Sequence, residues 1–266
     1  KISRQITESM SDQKLTAVVL GASGSVGEAL CNALGQCGKY GHVISINRAK
    51  ELKWMDALPL KTTQVVVSRE DMSNHARLRE ITAKTCLEHK PTIGFSTLGI
   101  GTATGSITKE QHRAVDVETN RAFALGCADS KQVSTFVFLS SVAADPTADE
   151  NGSGTAGGSR YLRVKGESEE AVKGSGIPTV RIFQPAMIAG SVNTPCIFEW
   201  MEPCCWLLCL WCCLPLRYHG IKIADLGMAM ALAGLASEPK GNSYFEYPEM
   251  MELLKAAENE EQHLLG

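Results

Sequence analysis

The chain has 266 residues, 44% hydrophobic and 21% charged, which is enough apolar material for the core of one large α/β domain and excludes a disordered or fibrous chain. Lys and Arg number 26 against 29 Asp and Glu, a net charge of −3, so the basic excess of a nucleic-acid binder is missing. Glycine is plentiful at 24 and aromatics are few at 6%, which fits many tight strand-to-helix turns better than an all-β sandwich.

Segment 1–13 is polar and lacks the apolar core of a secretory signal, so it is expected to be a flexible extension. Because the chain starts at Lys1, an upstream targeting segment stays open. Residues 15–20 (LTAVVL) form a short, continuous, β-branched apolar run, the pattern of a strand buried on both faces of a parallel sheet. A glycine-rich turn follows, then a helical pattern over 28–34. Further strands are expected at 42–47 (HVISIN), 63–68 (TQVVVS), 91–98 (PTIGFSTL), 133–141 (VSTFVFLSS) and 177–183 (IPTVRIF). Helical stretches fall between them at 73–90, 113–128 and from about 160 to 173. This alternation predicts an α/β, Rossmann-type doubly wound parallel sheet. The expected division is a dinucleotide-binding domain over 14–188 and a small C-terminal substrate-binding part with its tail over 189–266, in the same globule. The stretch 145–159 (DPTADENGSGTAGGS) is low in complexity and expected to be flexible. The six histidines show no ligand spacing and are expected at the surface, and the acidic tail 249–262 is expected to be a solvated helix.

Gly21, Gly24 and Gly27 form G-x-x-G-x-x-G between the first strand and the first helix. In that setting the first glycine permits the sharp turn, the second lets backbone approach a pyrophosphate, and the third lets helix and strand pack closely. The helix start offers free N–H groups, including that of Val26, and a positive dipole end, and Ser23 and Ser25 add hydroxyls. The second strand ends in Asn47 and Arg48, and no carboxylate lies between Glu28 and Glu51. A carboxylate there would accept from ribose hydroxyls, whereas a guanidinium pairs with a 2′-phosphate, so Arg48 predicts NADP(H). Asp71, after the third strand, is a candidate acceptor for the adenine amino group.

Tyr161 and Lys165 stand four apart on a predicted helix and so share a face. A free tyrosine, with a pKa of about 10, is a poor acid–base group at neutral pH, and a nearby ammonium lowers that value. The same lysine can hold a nicotinamide ribose, and Ser141 could hydrogen-bond a substrate carbonyl.

The runs LGASGSVG, STLG, FLSS and YLRVKGESE resemble the short-chain dehydrogenase/reductases, in their extended or atypical branch. Within it, YLRVKGESE and the following RIFQP are similar to the Tat-interacting-protein-like oxidoreductases. The resemblance covers about 15–188. It implies a Rossmann fold, NADP(H), and Ser141, Tyr161 and Lys165 as the catalytic set acting on a carbonyl or alcohol, with Ser140 as the substitute for Ser141. It also implies that Leu98 and Gly99 pass beneath the cofactor and that Pro185 stands beside the nicotinamide. The family's usual Arg-Pro after the sixth strand is split here into Arg181 and Gln184-Pro185. An NADP(H)-binding regulator or sensor without turnover is the second reading, because several relatives of this branch bind the cofactor in that way. A sugar-nucleotide epimerase is the third, and Arg48 argues against it.

Ten cysteines, six of them crowded between Cys196 and Cys213, do not form the spread framework of a secreted disulfide protein. A reduced, cytoplasmic protein is the expectation. The uncharged stretch from Cys204 to Leu216 (CCWLLCLWCCLPL) is too short to span a bilayer. It reads as a buried helix of the substrate part, as a peripheral membrane contact through Trp206 and Trp211 with acylated cysteines, or, least of the three, as a metal site.

Overall fold

The computed structural model describes residues 14–48, 50–101, 106–152, 158–190, 215–236 and 240–265. The expected flexible extension 1–13 lies outside them, as do residues 153–157 of the low-complexity stretch and all but the last two residues of the stretch from Cys204 to Leu216.

Seven strands make one parallel sheet: β1 (Leu15–Leu20), β2 (Tyr40–Arg48), β3 (Lys61–Val67), β4 (Ile93–Ser96), β5 (Thr135–Leu139), β6 (Thr179–Phe183) and β9 (Gly241–Phe245). Their order is β3-β2-β1-β4-β5-β6-β9, and every neighbouring pair is parallel. This is the doubly wound sheet expected from the alternating pattern. Two short strands, β7 (Met187–Ala189) and β8 (Gly220–Lys222), pair separately.

Successive residues of a strand face opposite sides, and β1 shows why its run is apolar throughout. Ala17 and Val19 belong to one core cluster and Val18 and Leu20 to the other. The first cluster lies under α1 (Ser25–Gln36), α7 (Ile223–Leu235) and α8 (Tyr247–Leu265). The second lies under α3 (His75–His89) and α5 (Asn120–Asp129). A single helical turn, α2 (Arg69–Ser73), precedes α3, and α6 (Gly158–Lys173) precedes β6.

The stretch assigned from sequence to the C-terminal part thus supplies layers of the main fold. β9 extends the sheet beside β6, α7 packs on α1, and α8 buries Met250 in the first cluster with Leu253 and Leu254 against it. The acidic tail is therefore half core-facing rather than solvated throughout. The helix expected over 113–128 is longer and interrupted: α4 (Lys109–Arg113) leads into a π-helical turn at Ala114–Thr119 and then into α5. Thr108 and Gln111 close its start as a reciprocal capping box.

Residues 145–152 are held in place, unlike the expected flexible loop. Glu150 pairs with Lys109 at 3.2 Å, with Arg163 at 3.5 Å and closely with Arg113, while Glu167 pairs with Arg113 at 2.7 Å and Arg163 at 3.0 Å. Isolated surface pairs contribute little, but these shared contacts form a network. Gly166 lets the α6 backbone pass the 145–146 segment so closely that a Cβ would lie 2.2 Å from the Pro146 nitrogen.

Where α7 crosses α1, a Cβ on Gly227 would lie 2.7 Å from the Ala29 carbonyl carbon. Gly227→Val should therefore overpack this contact and lower stability by about 1–3 kcal/mol, read as a lower urea midpoint at unchanged slope.

Candidate functional site

The sheet changes winding direction between β1 and β4, and the crevice beyond their carboxyl ends is where such folds bind ligands. The glycine turn leaves β1 there. Gly21 has φ +90°, which favours glycine, and a Cβ on it would lie 2.8 Å from both the Leu98 nitrogen and Thr97 Oγ1. A Cβ on Gly27 would lie 2.1 Å from the Gly21 carbonyl oxygen. Both glycines are demanded by the protein's own packing. Gly24 is different: its φ of −86° suits any residue, and a Cβ there would meet only the Gly21 oxygen, at 3.5 Å. The room at Gly24 is therefore left open by the protein itself. Among the described residues no side chain caps the start of α1, which leaves its first amides without a side-chain partner there. Ser23 is exposed, Ser25 half-buried, and Val26 turns its side chain into the core, leaving its N–H as the group it can offer. A glycine-only clearance beside an uncapped helix start fits a pyrophosphate.

Arg48 is the last residue of β2, exposed, with no ion-pair partner among the described residues. Asp71 lies in the first turn of α2, where its N–H donates to Ser68 Oγ at 2.9 Å. Its carboxylate is 3.9 Å from the Arg77 guanidinium and lines a cavity of about 440 Å³ between the β3 edge and α3. The cavity thus sits at the outer edge of the sheet, away from the β1–β4 crevice.

The loop after β4 is held from below. The Leu98 carbonyl accepts from Asn120 Nδ2 at 3.2 Å, and the same amide donates to the Asp116 carbonyl at 2.7 Å. Ser96 Oγ donates to Asn120 Oδ1. The Ile100 N–H donates to Asp116 Oδ1 at 2.9 Å. Gly99 lies on top of this arrangement: a Cβ there would lie 2.7 Å from Lys165 Nζ and 3.2 Å from Asp116 Oδ2.

Tyr161 and Lys165 share one face of α6, as their spacing predicts, with the ammonium 5.8 Å from the phenol ring centre. The Lys165 ammonium is buried and pairs with Asp116 Oδ2 at 3.2 Å, and Asp116 is fully buried. Burial alone would push the Asp116 carboxyl up, but Lys165, His112 and the Ile100 N–H outweigh it and hold it below the usual carboxylate range. Burial alone would likewise push Lys165 down, and Asp116, Tyr161 and Glu169 outweigh it, so the amine is held above its ordinary value. His112, expected at the surface, is instead fully buried. Its ring lies 22° from parallel with Tyr161 at 6.4 Å, and its Nε2 is 3.8 Å from Asp116 Oδ2.

The two serines after β5 differ. Ser140 donates closely to Glu169 Oε1, to which Gln184 also donates at 2.8 Å. Burial pushes the Glu169 carboxyl up, against these two hydrogen bonds. Among the described residues Ser141 makes only a long 3.4 Å contact to the Val142 carbonyl. The Val142 N–H donates to the Pro185 carbonyl at 3.1 Å, which places Pro185 beside the serine turn.

The structure therefore gathers Gly21, Leu98, Gly99, Tyr161 and Lys165 into one contiguous region and ties Val142, the residue after Ser141, to Pro185. Arg48 stands at the end of β2, and Asp71 in the helical turn that follows β3. The sequence reading missed Asp116, His112 and Asn120. Positions 112, 116, 119, 120, 123 and 127 form one buried helical stripe, but its first half is polar, so no apolar periodicity marks it as buried. Among the described residues no cluster could hold a metal ion, and no helix is long and apolar enough to cross a membrane.

No family model and no curated protein matches the chain. Solved structures do. A short-chain dehydrogenase/reductase from Serratia marcescens is 15% identical, with a TM-score of 0.64, over 90% of this chain and 98% of that one. A 3-oxoacyl-[acyl-carrier protein] reductase from Brucella melitensis, solved with NAD, is 14% identical at 0.64, over 91% and 99%. The NADPH-dependent 3-quinuclidinone reductase from Rhodotorula rubra is 12% identical at 0.64, over 94% and 95%. The class defined at this level is the fold: this chain has the Rossmann-like fold of the short-chain dehydrogenase/reductases.

Removing one partner of the buried pair strands the other charge. Asp116→Ala should cost about 3–5 kcal/mol, whereas Asp116→Leu combined with Lys165→Met should cost less than either alone, both read by urea denaturation. The folded carboxyl titrates below its unfolded value of about 3.9. Its stabilisation is thus present above that value and lost as pH falls through the folded one, so Asp116→Asn should flatten the acid limb of the stability profile.

Proposed function

We propose that the chain is an NADP(H)-dependent oxidoreductase of the short-chain dehydrogenase/reductase type that reduces a carbonyl or oxidises an alcohol. Its place is in the atypical branch, near the Tat-interacting-protein-like oxidoreductases. The observation that carries this reading is the contiguity of the open Gly24 turn, the Gly99 loop and the Tyr161–Lys165 face directly beneath that loop. Three solved structures of this fold, one solved with NAD and one NADPH-dependent by name, support an oxidoreductase with a nicotinamide cofactor, and Arg48 carries the preference for NADP(H).

The bound nicotinamide would supply or accept the hydride. The chain's own residues do the rest. The α1 amides and Gly24 bind the pyrophosphate, and Arg48 at the end of β2 pairs with a 2′-phosphate. Tyr161 gives its hydroxyl proton to the substrate oxygen on reduction and takes one back on oxidation. Lys165 keeps positive charge next to the phenol, and Ser141, the hydroxyl left uncommitted after β5, orients the substrate oxygen.

Titration calorimetry with NADPH and, separately, NADH tests the cofactor half. NADPH should bind more tightly, and Arg48→Ala should weaken NADPH by about 10- to 100-fold while leaving NADH unchanged, the worth of hydrogen bonds to a charged phosphate. Carbonyl-dependent NADPH oxidation that disappears in Tyr161→Phe tests the catalytic half. Tight NADPH binding with no oxidation across a broad carbonyl panel would favour the sensor reading.

A further inference from the structure

We propose that the free edge of β3 and the charged outer row of α3 form a two-fold interface with a second copy of this chain. The two β3 strands pair antiparallel there, and the two seven-stranded sheets become continuous.

β3 (KTTQVVV) stands at the end of the sheet and pairs with β2 alone among the described residues. Its other side therefore presents a row of backbone groups with no strand beside them. Natural sheets blunt such an edge with charges, proline or a bulge. β3 has a single charge, Lys61, no proline, and an unbroken register with β2. Val66 is 44% exposed on it. The opposite edge differs: β9 starts at Gly241, and its exposed Tyr244 accepts from Lys173 Nζ at 3.0 Å.

The charges beside the β3 edge are ordered. Arg77, Glu80, Lys84 and Glu88 line the cavity between β3 and α3, and all four are exposed. Along the helix they alternate in sign, beginning with a positive charge. A two-fold rotation that sets α3 antiparallel to its copy puts Arg77 opposite the partner's Glu88 and Glu80 opposite the partner's Lys84. Each pair occurs twice, and every facing pair is of opposite sign. This is the self-complementarity that a two-fold interface requires. Within one chain, Arg77 lies 2.6 Å from Glu80 and 3.9 Å from Asp71, and Glu88 lies 3.8 Å from His89. Exposed pairs of this kind are weak and hold their side chains loosely.

One axis must serve the strand and the helix together, and the structure meets that condition. Residues 61–67 span about 20 Å and residues 77–88 about 17 Å. At one end Arg77 stands beside Asp71, just past the end of β3. At the other end the His89 ring meets His42 edge-on at 5.7 Å, and His42 is the register partner of Lys61, the first residue of β3. The middle of the charge row is therefore level with Gln64, the middle of the strand. An axis perpendicular to the sheet at that level sets Lys61 opposite the partner's Val67. It keeps alternate side chains on matching faces and leaves both α3 helices on the same face. The cavity between β3 and α3 gives the partner's long side chains room to reach across.

Analytical ultracentrifugation of the full chain should show a dimer in the micromolar range. Glu80→Lys brings two like positive charges together and Lys84→Glu two like negative ones, each twice per dimer. Either variant alone should weaken association about tenfold or more, with far-ultraviolet circular dichroism unchanged. An equimolar mixture of the two variants should recover wild-type association as a heterodimer, because every facing pair is again of opposite sign. Damage to α3 itself would not be repaired by mixing. Hydrogen exchange should slow at the β3 amides, and not at those of β9, as the concentration rises through the association range. A chain that stays monomeric would overturn the proposal. So would single variants that associate like the wild type, a mixture that fails to recover, or slowed exchange at β9 instead of β3.

Discussion

Everything at the site follows from the chain leaving two neighbouring strands in opposite directions. β1 hands over to α1 on one face of the sheet and β4 to the α4–α5 segment on the other. Among the described residues no helix covers the carboxyl ends of β1 and β4, which is where folds wound in this way open a crevice. Two loops must nevertheless pass each other in that gap. They do so only because Gly21 carries no side chain at the point where the Thr97–Leu98 backbone crosses it. That contact fixes the glycine turn against the β4 loop. Asn120 and Asp116 fix the β4 loop against the helix below, and Asp116 fixes Lys165. The Tyr161–Lys165 face of α6 is thereby referenced to the helix start of α1 through backbone and buried polar contacts, with no long flexible side chain in the path except the lysine itself.

The interior around this path is unusual in being polar. Ser96, Asn120, Asp116, His112, Lys165, Ser168, Ser140 and Glu169 are all buried. A partly satisfied network of this kind would be worse than an apolar core. Here each serine hydroxyl has a partner: Ser168 Oγ, for example, reaches both the Asp116 and Val164 carbonyls at 2.9 and 2.7 Å. Neither ring nitrogen of His112 has a hydrogen-bond partner among the described residues, whereas removing Asn120, Asp116 or Glu169 would strand the groups that each of them binds.

Elements whose signal is local were legible in the sequence. β1 occupies the span its apolar run indicates, and the glycine turn and the Tyr161–Lys165 spacing land as read. What was not legible depends on distant partners. β9 (GNSYF) has no apolar run, leaves Tyr244 exposed, and becomes a strand because β6 offers it an edge. His112 and Asp116 looked like ordinary polar residues of a surface helix, since burial of a charge makes sense only once its counter-charge, far along the chain at Lys165, is known to stand beside it. Periodicity reports which face is buried only when that face is apolar. On the stripe 112–120 the buried face is polar, so the pattern pointed outward.

The serine pair after β5 shows two adjacent hydroxyls with different commitments to the fold. Residues 140 and 141 follow β5 directly, and their hydroxyls meet different partners. The Ser140 hydroxyl enters the buried cluster with Glu169 and Gln184, and its N–H is bound to the Phe183 carbonyl at 2.7 Å. Removing it would leave a carboxyl whose acidity burial already weakens with one donor fewer. Ser141 has no such commitment. Just beyond it Ala143 adopts φ +59°, a left-handed conformation costly for a residue with a Cβ, and the Ala144 N–H closes back on the Ser141 carbonyl at 3.2 Å. The chain accepts local strain to turn sharply after Ser141, while Val142 is bound to Pro185 across the gap. Among the described residues the Ser140 hydroxyl is thus tied into the buried cluster, while that of Ser141, also buried, makes only its long contact to the Val142 carbonyl.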